Sequence, residues 1–317
     1  PALSPEVMGI EISNIGLDVI IHLSCKDKNR NQIESLLFAW DRAGLRNLLV
    51  IAGDYPQRGY RGHPKPVFDL DTIQALDLIS RLNCEQAGLD RRNPAIKKSV
   101  EPTSFCKGLA ISPFKYMEAE LRMQYYKLHR KEAAGADYVI TQVGYDARKF
   151  DELLRYMRLQ GINLPVLGNA FMPTPTVAKI MWEGRIPGVV LPDRYYAQLQ
   201  EEFKDADRGR KKGLLRAAKL MCVQKGLGYA GTHLGGPGLT FTELDFLLNE
   251  ATRMADDWPD FLKDFSCWPQ DSYDGERGSN GELNCDEPGA RRMGGKYLQY
   301  ALANSLRELV FSETGAL

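Results

Sequence analysis

The chain has 317 residues, with 41 Lys and Arg against 41 Asp and Glu, so its formal net charge is zero. That balance speaks against the net basic field of a nucleic-acid or membrane-surface protein, and no apolar run reaches the ~18 residues of a membrane span. The six cysteines show neither a CxxC nor a regular spacing, the pattern of free thiols in a reducing, cytoplasmic setting. The length admits one large domain or two small ones.

Residues 1–17 read as the tail of a helix and a turn. The stretch Asp18 to Pro56 then reads as strand, helix, strand. In its first strand Val19, Ile21 and Leu23 point one way and Ile20, His22 and Ser24 the other, because side chains alternate along a strand. Ile33, Leu36, Leu37 and Trp40 recur at helical spacing, and Gly44 stands where a helix ends. In the second strand Val50, Ala52 and Asp54 share a face. Parallel strands joined by a crossover helix end at one rim, so His22, Ser24 and Asp54 are expected together at a sheet edge, where α/β proteins place chemistry.

A Gly- and Pro-rich loop follows from Tyr55 to Pro66. Its Arg58, Arg61, His63 and Lys65 read first as a solvated loop, with an anionic substrate tail as the alternative. A helix is expected over 70–83, then a polar insertion over 84–104. A strand lies near Cys106–Ser112 and a long helix over 116–134, where Lys127, Arg130 and Lys131 form a basic face. The strand Asp137–Val143 carries Gln142 among apolar residues, and a buried glutamine needs a partner. Asp146 suits an N-cap. Phe150, Leu153, Leu154 and Met157 stripe the next helix, which Gly161 ends.

A strand over 165–172, a helix near 176–183, a short extended piece and a helix within 185–209, and a helix striped by Leu214, Ala217, Ala218 and Met221 come next, the last stopping at Gly226. A strand over 229–233 runs into LGGPG. Thr240 and Glu243 form a capping box for a helix striped by Leu244, Leu247, Leu248 and Ala251. From residue 255 the chain becomes rich in Asp, Gly and Pro, with one more amphipathic helix over 297–310.

Six strand–helix units with barrel-type spacing, no G-x-G-x-x-G, and polar residues at several strand ends favour a (β/α)8 TIM barrel over a doubly wound sheet. The first one or two βα units would be outside this sequence. Residues 1–254 are expected to form the barrel, and 255–317 a C-terminal extension with a docking helix. On their own the strand-end residues keep bland alternatives. Asp54 suits a turn, His22 a satisfied core histidine, Gln142 a buried amide, and Arg130 with Lys131 a solvated face. His233, Cys267 and Cys285 lack a metal-site spacing, and no metal is expected.

Four segments in order, HLSCKDKNR (22–30), LRNLLVIAGDYP (45–56), KPVFDLD (65–71) and AGADYVITQ (134–142), resemble the methylenetetrahydrofolate reductase family. The resemblance runs from about residue 17 to 250. It implies a FAD-containing barrel that reduces 5,10-methylenetetrahydrofolate to 5-methyltetrahydrofolate, with NADH or NADPH as electron donor. By the same resemblance Asp54 lies near flavin and folate, Gln142 holds the pterin, and His22 and Ser24 lie beside the flavin. Arg130 and Lys131 meet the ADP half of FAD, and Phe68 and Asp69 touch the flavin. Ala52 and Gly53 belong to the flavin segment, with Ala52 where many members carry arginine. ISPF, with Ser112, stands in place of a Tyr-Pro segment. The family's acidic proton donor lies on a first strand that has no counterpart here. That leaves an alternative: a folate- or flavin-binding subunit of a methyl-transfer system without activity of its own. The partners implied are a tetrahydrofolate derivative and a second copy or partner subunit, with neither nucleic acid nor membrane.

Overall fold

The computed structural model describes residues 3–55, 62–84, 101–115 and 117–267, with the short pairs 276–277 and 283–284. The fold is α/β. The chain forms two compact units, one from residues 1–111, 124–141 and 164–167 and the other from residues 112–123, 142–163 and 168–317.

In the first unit, helix α1 (Pro5–Asn14) precedes β1 (Ile20–Ser24), α2 (Arg30–Arg42), β2 (Asn47–Ile51), α3 (Thr72–Leu82), β3 (Cys106–Ile111), α4 (Glu118–Ala133) and β4 (Tyr138–Thr141). β5 (Val166–Phe171) begins here and ends in the second unit. β1 to β5 pair side by side and parallel, with His22 beside Leu49, Leu49 beside Gly108, and Gly108 beside Tyr138. Leu23, Leu48, Val50, Leu109 and Val139 are fully buried, as expected of strands covered by crossover helices. Asn29 caps α2 by accepting from the Gln32 N–H, and Asp71 with Gln74 closes a capping box on α3. Gly44 takes a left-handed φ of 76° at the end of α2, a conformation that costs glycine nothing. Tyr138 lies flat over Gly108, where any Cβ would strike its ring. Its hydroxyl donates to the Leu48 carbonyl at 2.8 Å, so one side chain ties β4 to β2.

The second unit holds α5 (Ala147–Leu159), α6 (Pro175–Trp182), α7 (Asp193–Glu202), α8 (Arg210–Leu227), β6 (Gly231–Gly235) and α9 (Phe241–Arg253). The sheet order is β1-β2-β3-β4-β5-β6, and the Met172 N–H beyond β5 donates to the Gly235 carbonyl of β6 at 2.9 Å. Asp146 caps α5 as expected and also accepts from the Cys267 N–H at 2.9 Å. Residues 255–267 therefore pack inside this unit, with Phe265 fully buried. Thr240 and Glu243 form the expected capping box, and Glu243 also pairs with Arg210.

Three details differ from expectation. Helix α8 runs through Gly226 and ends at Gly228, which holds the left-handed cap. Gly226 lacks a Cβ for a packing reason, because the Trp258 indole lies against it. β2 stops at Ile51, three residues before Asp54, where Gly53 turns the chain with φ 82°. β6 covers Gly231–Gly235, two residues later than the pattern suggests. The helix expected over 297–310, most of the 84–104 insertion, and Arg58 and Arg61 lie outside the described residues.

Candidate functional site

The expected site residues fall into two sets, one in each unit. In the first unit β1 presents His22 on its exposed face, while Ile21 and Leu23 are buried behind it. The Ser24 hydroxyl donates to the Ala52 carbonyl at 3.4 Å. Gly53 sits so close to Ser24 and Lys26 that any Cβ there would strike both side chains. His22, Ser24, Ala52 and Gly53 thus gather at one rim, as the strand pairing requires.

Asp54 is exposed there, and so is Ala52. The expectation that Asp54 sits at the end of a buried strand fails: β2 stops at Ile51, and Gly53 turns the chain with a left-handed φ before Asp54.

Asp69 is held by Arg30 through a fork of two hydrogen bonds, each 3.0 Å, and accepts a third from the Arg30 backbone N–H at 2.8 Å. The Arg30 side chain, then its backbone N–H, draw the Asp69 carboxyl down to about 2. Both oxygens are engaged, so Asp69 fixes its loop against the start of α2. Phe68 beside it has a φ of 41°, unusual for an aromatic residue, and packs edge-on against Tyr55 at 5.3 Å.

Arg130 and Lys131 point different ways. Arg130 is exposed and lines a groove of about 620 Å³ between α3 and α4, with Arg30, Arg81 and Asp77. Lys131 is buried, and its Nζ donates to the Ala110 carbonyl at the end of β3 at 2.8 Å. Burial, and to a lesser degree the charge of Lys127, pull its pKa down to about 8. Consecutive helix residues diverge by about 100°, so the basic face read from the sequence divides into an outer and an inner cation.

In the second unit Gln142 is half-buried just past β4, and its Oε1 accepts from the Val143 N–H at 2.9 Å. Its Nε2 lies 3.3 Å from where a Cβ on Gly188 would be. The Ser112 hydroxyl donates to the Gly188 carbonyl at 3.3 Å. Gln142 and Ser112 are therefore neighbours across Gly188, which no sequence pattern announced.

The sequence matches the family model for methylenetetrahydrofolate reductase over residues 3–233. The chain belongs to the methylenetetrahydrofolate reductase family. It is 24% identical over 216 residues to methylenetetrahydrofolate reductase 1 of Schizosaccharomyces pombe, covering 67% of this chain and 32% of that protein. It is 24% identical over 208 residues to methylenetetrahydrofolate reductase 2 of Saccharomyces cerevisiae, covering 65% of this chain and 31% of that protein. The chain thus spans about a third of the length of these curated relatives. A Clostridium thermocellum protein described as binding two copies of 5-methyl-5,6,7,8-tetrahydrofolic acid aligns with a TM-score of 0.49 at 14% identity, over 81% of this chain and 79% of that one. A likeness of that size carries no argument about fold or ligand.

Membership in the methylenetetrahydrofolate reductase family brings FAD into question. Lys131 suits such an anion: its ammonium is buried and makes one hydrogen bond among the described residues, to a carbonyl. Asp69 does not suit a direct contact, because Arg30 occupies both its oxygens. Among the described residues no cluster of three or more His, Cys, Asp and Glu could hold a metal ion, and no helix is long and apolar enough to cross a membrane. Sequence reasoning missed Asn169, on β5, whose amide nitrogen lies 3.1 Å from Nδ1 of His233 on β6. Its signal was an asparagine inside an apolar strand.

Proposed function

We propose that this chain carries out the flavin-dependent reduction of 5,10-methylenetetrahydrofolate to 5-methyltetrahydrofolate, with NADH or NADPH as donor. The observation that carries the reading is Lys131, a buried cation at a strand end in a chain of this family. A charge so placed costs desolvation unless an anion meets it, and a dinucleotide pyrophosphate is such an anion. Lys131 holds the cofactor's phosphates, while His22, Ser24, Ala52 and Gly53 form the flat rim beside its ring. FAD, when bound, carries the hydride between donor and folate.

The remaining chemistry belongs to the chain's own residues. Opening the folate's five-membered ring leaves a positive charge on its iminium, and the Asp54 carboxylate stabilises it electrostatically. Gln142 offers a donor and an acceptor to the aminopterin edge, and Ser112 fixes the loop at Gly188 beside it. The leaving nitrogen needs a proton, and none of these residues matches the family's donor.

That last point bears on architecture. β1 leaves one edge without a strand partner among the described residues. In α1, the segment after it and the start of β1, Val7, Met8, Ile10, Ile15, Leu17 and Ile20 are all exposed. An open edge flanked by apolar surface is a place for another strand. The fold is thus read as an eight-stranded barrel completed there by further βα units, from a longer polypeptide or a partner subunit. Residues 1–254 are read as its barrel portion, and the chain from 255 on as an extension.

Gln142→Ala tests the reading. Folate binding should weaken while flavin reduction by the nicotinamide donor stays nearly intact, since only the pterin needs the amide. Equal losses in the two half-reactions would make Gln142 a structural residue.

A further inference from the structure

The second unit contains a polar network that none of the roles above uses. Gln224 on α8 is wholly buried. It fits because Gly168 on β5 has no Cβ, and any would strike the Gln224 amide. Its Nε2 donates to the Asn169 carbonyl at 3.1 Å, and its Oε1 accepts from the Thr232 hydroxyl of β6 at 2.7 Å. Since a carbonyl only accepts, the orientation of the Gln224 amide is fixed. β5 and β6 are thereby pinned at the height of Asn169. The Asn169 side chain, itself buried, then meets Nδ1 of His233 at 3.1 Å. With the amide nitrogen turned toward the ring, Nδ1 accepts, and the neutral imidazole then carries its proton on Nε2.

The position of this pair matters as much as its chemistry. Ile140 of β4 stands beside Leu167 of β5 in the parallel register. Two residues further along each chain come Gln142, just past the end of β4, and Asn169, still within β5, and His233 lies on the neighbouring β6. Its residue is exposed at the sheet end, yet burial of the ring lowers its pKa from the usual histidine value. A buried polar network rigidifies what it holds, and here it holds a ring whose second nitrogen faces away from Asn169.

We propose that His233 is a further ligand-contacting residue, donating Nε2–H to an acceptor atom of the folate ring system, with Asn169 as the positioning residue that sets its tautomer. This rests on the folate reading above.

The test uses the full chain with 5-methyltetrahydrofolate as probe, and compares wild type with His233→Ala, His233→Gln and Asn169→Asp. Nitrogen NMR of the imidazoles, with His233 identified by its loss in His233→Gln, should show Nε2–H in wild type and Nδ1–H in Asn169→Asp, because a carboxylate accepts. Affinity should fall about tenfold in His233→Ala and Asn169→Asp, the effect of one lost hydrogen bond. It should largely return in His233→Gln, whose amide nitrogen reaches the Nε2 position. A purely structural role would not follow the tautomer in this way. An Nδ1–H tautomer in wild type, or wild-type affinity in His233→Ala, overturns the assignment of His233 alone. Failure of the wild type to bind the probe overturns the folate reading, and this inference with it.

Discussion

Lys131 is a buried cation of the first unit. Its folded pKa of about 8 lies below its ordinary value of 10.5. The unfolded chain therefore binds more protons between those values, and stability rises with pH across that window. The buried ammonium opposes folding below pH 8, by about 3 kcal/mol at about 1.4 kcal/mol per pKa unit. Urea titrations from pH 7 to 10 should show this rise in the wild type and lose it in Lys131→Met. FAD should flatten it, because an anion beside the ammonium restores the pKa. Lys131→Ala should also weaken FAD retention, by the ~1.5–3 kcal/mol of a charge-assisted contact.

Asp54 calls for the opposite accounting. It is exposed, so Asp54→Asn should leave stability within about 0.5 kcal/mol and flavin binding intact. Methylenetetrahydrofolate reduction should slow by one to a few orders of magnitude, at about 1.4 kcal/mol per tenfold. Stopped-flow comparison of the two half-reactions checks this, and an equal loss in flavin reduction would contradict it. The identity of Asp54 as a rim residue was legible in the sequence, but its exposure was not. Alternation does not pass Gly53, which has a left-handed φ and leaves no room for a Cβ against Ser24 and Lys26, a contact between segments far apart in the chain.

At the scale of elements, most helices and strands lie where their periodicity puts them. α2 buries Ile33, Leu37 and Trp40, and α5 buries Phe150, Leu153 and Met157. These stripes were legible because a helix against a sheet hides one face. What escaped was every feature made by a distant partner. Gly226 looks like a helix stop, but Trp258 made it a packing glycine. Lys131 looks like a surface charge, but its place on the helix turns it toward β3. Tyr138 passes for an ordinary strand aromatic, yet it crosses Gly108 to reach Leu48. Removal of its hydroxyl leaves that carbonyl one donor short. Tyr138→Phe should therefore cost about 1 kcal/mol in chemical denaturation. An unchanged midpoint would mean that the β2–β4 tie contributes nothing.

At the scale of the molecule, the sequence showed a repeating βα pattern, and six strands follow it in order. It could not show closure, because closure depends on what pairs with the outer edge of β1. The two site sets have a common logic at this scale. Cationic and small residues, Lys131 and Gly53 among them, gather at strand ends in the first unit and suit a flat anionic cofactor. Amides, a hydroxyl and an imidazole gather in the second and suit a heterocycle with donors and acceptors on its edge.

The visible absorption spectrum tests the central claim most directly. The protein would be incubated with FAD, freed of unbound flavin on a desalting column, and compared with Lys131→Ala. A retained flavin band with shifted vibrational structure in the wild type, weaker in the variant, is the predicted result. A wild-type protein that emerges colourless, even with strands supplied beyond the edge of β1, would contradict the flavin-dependent reading.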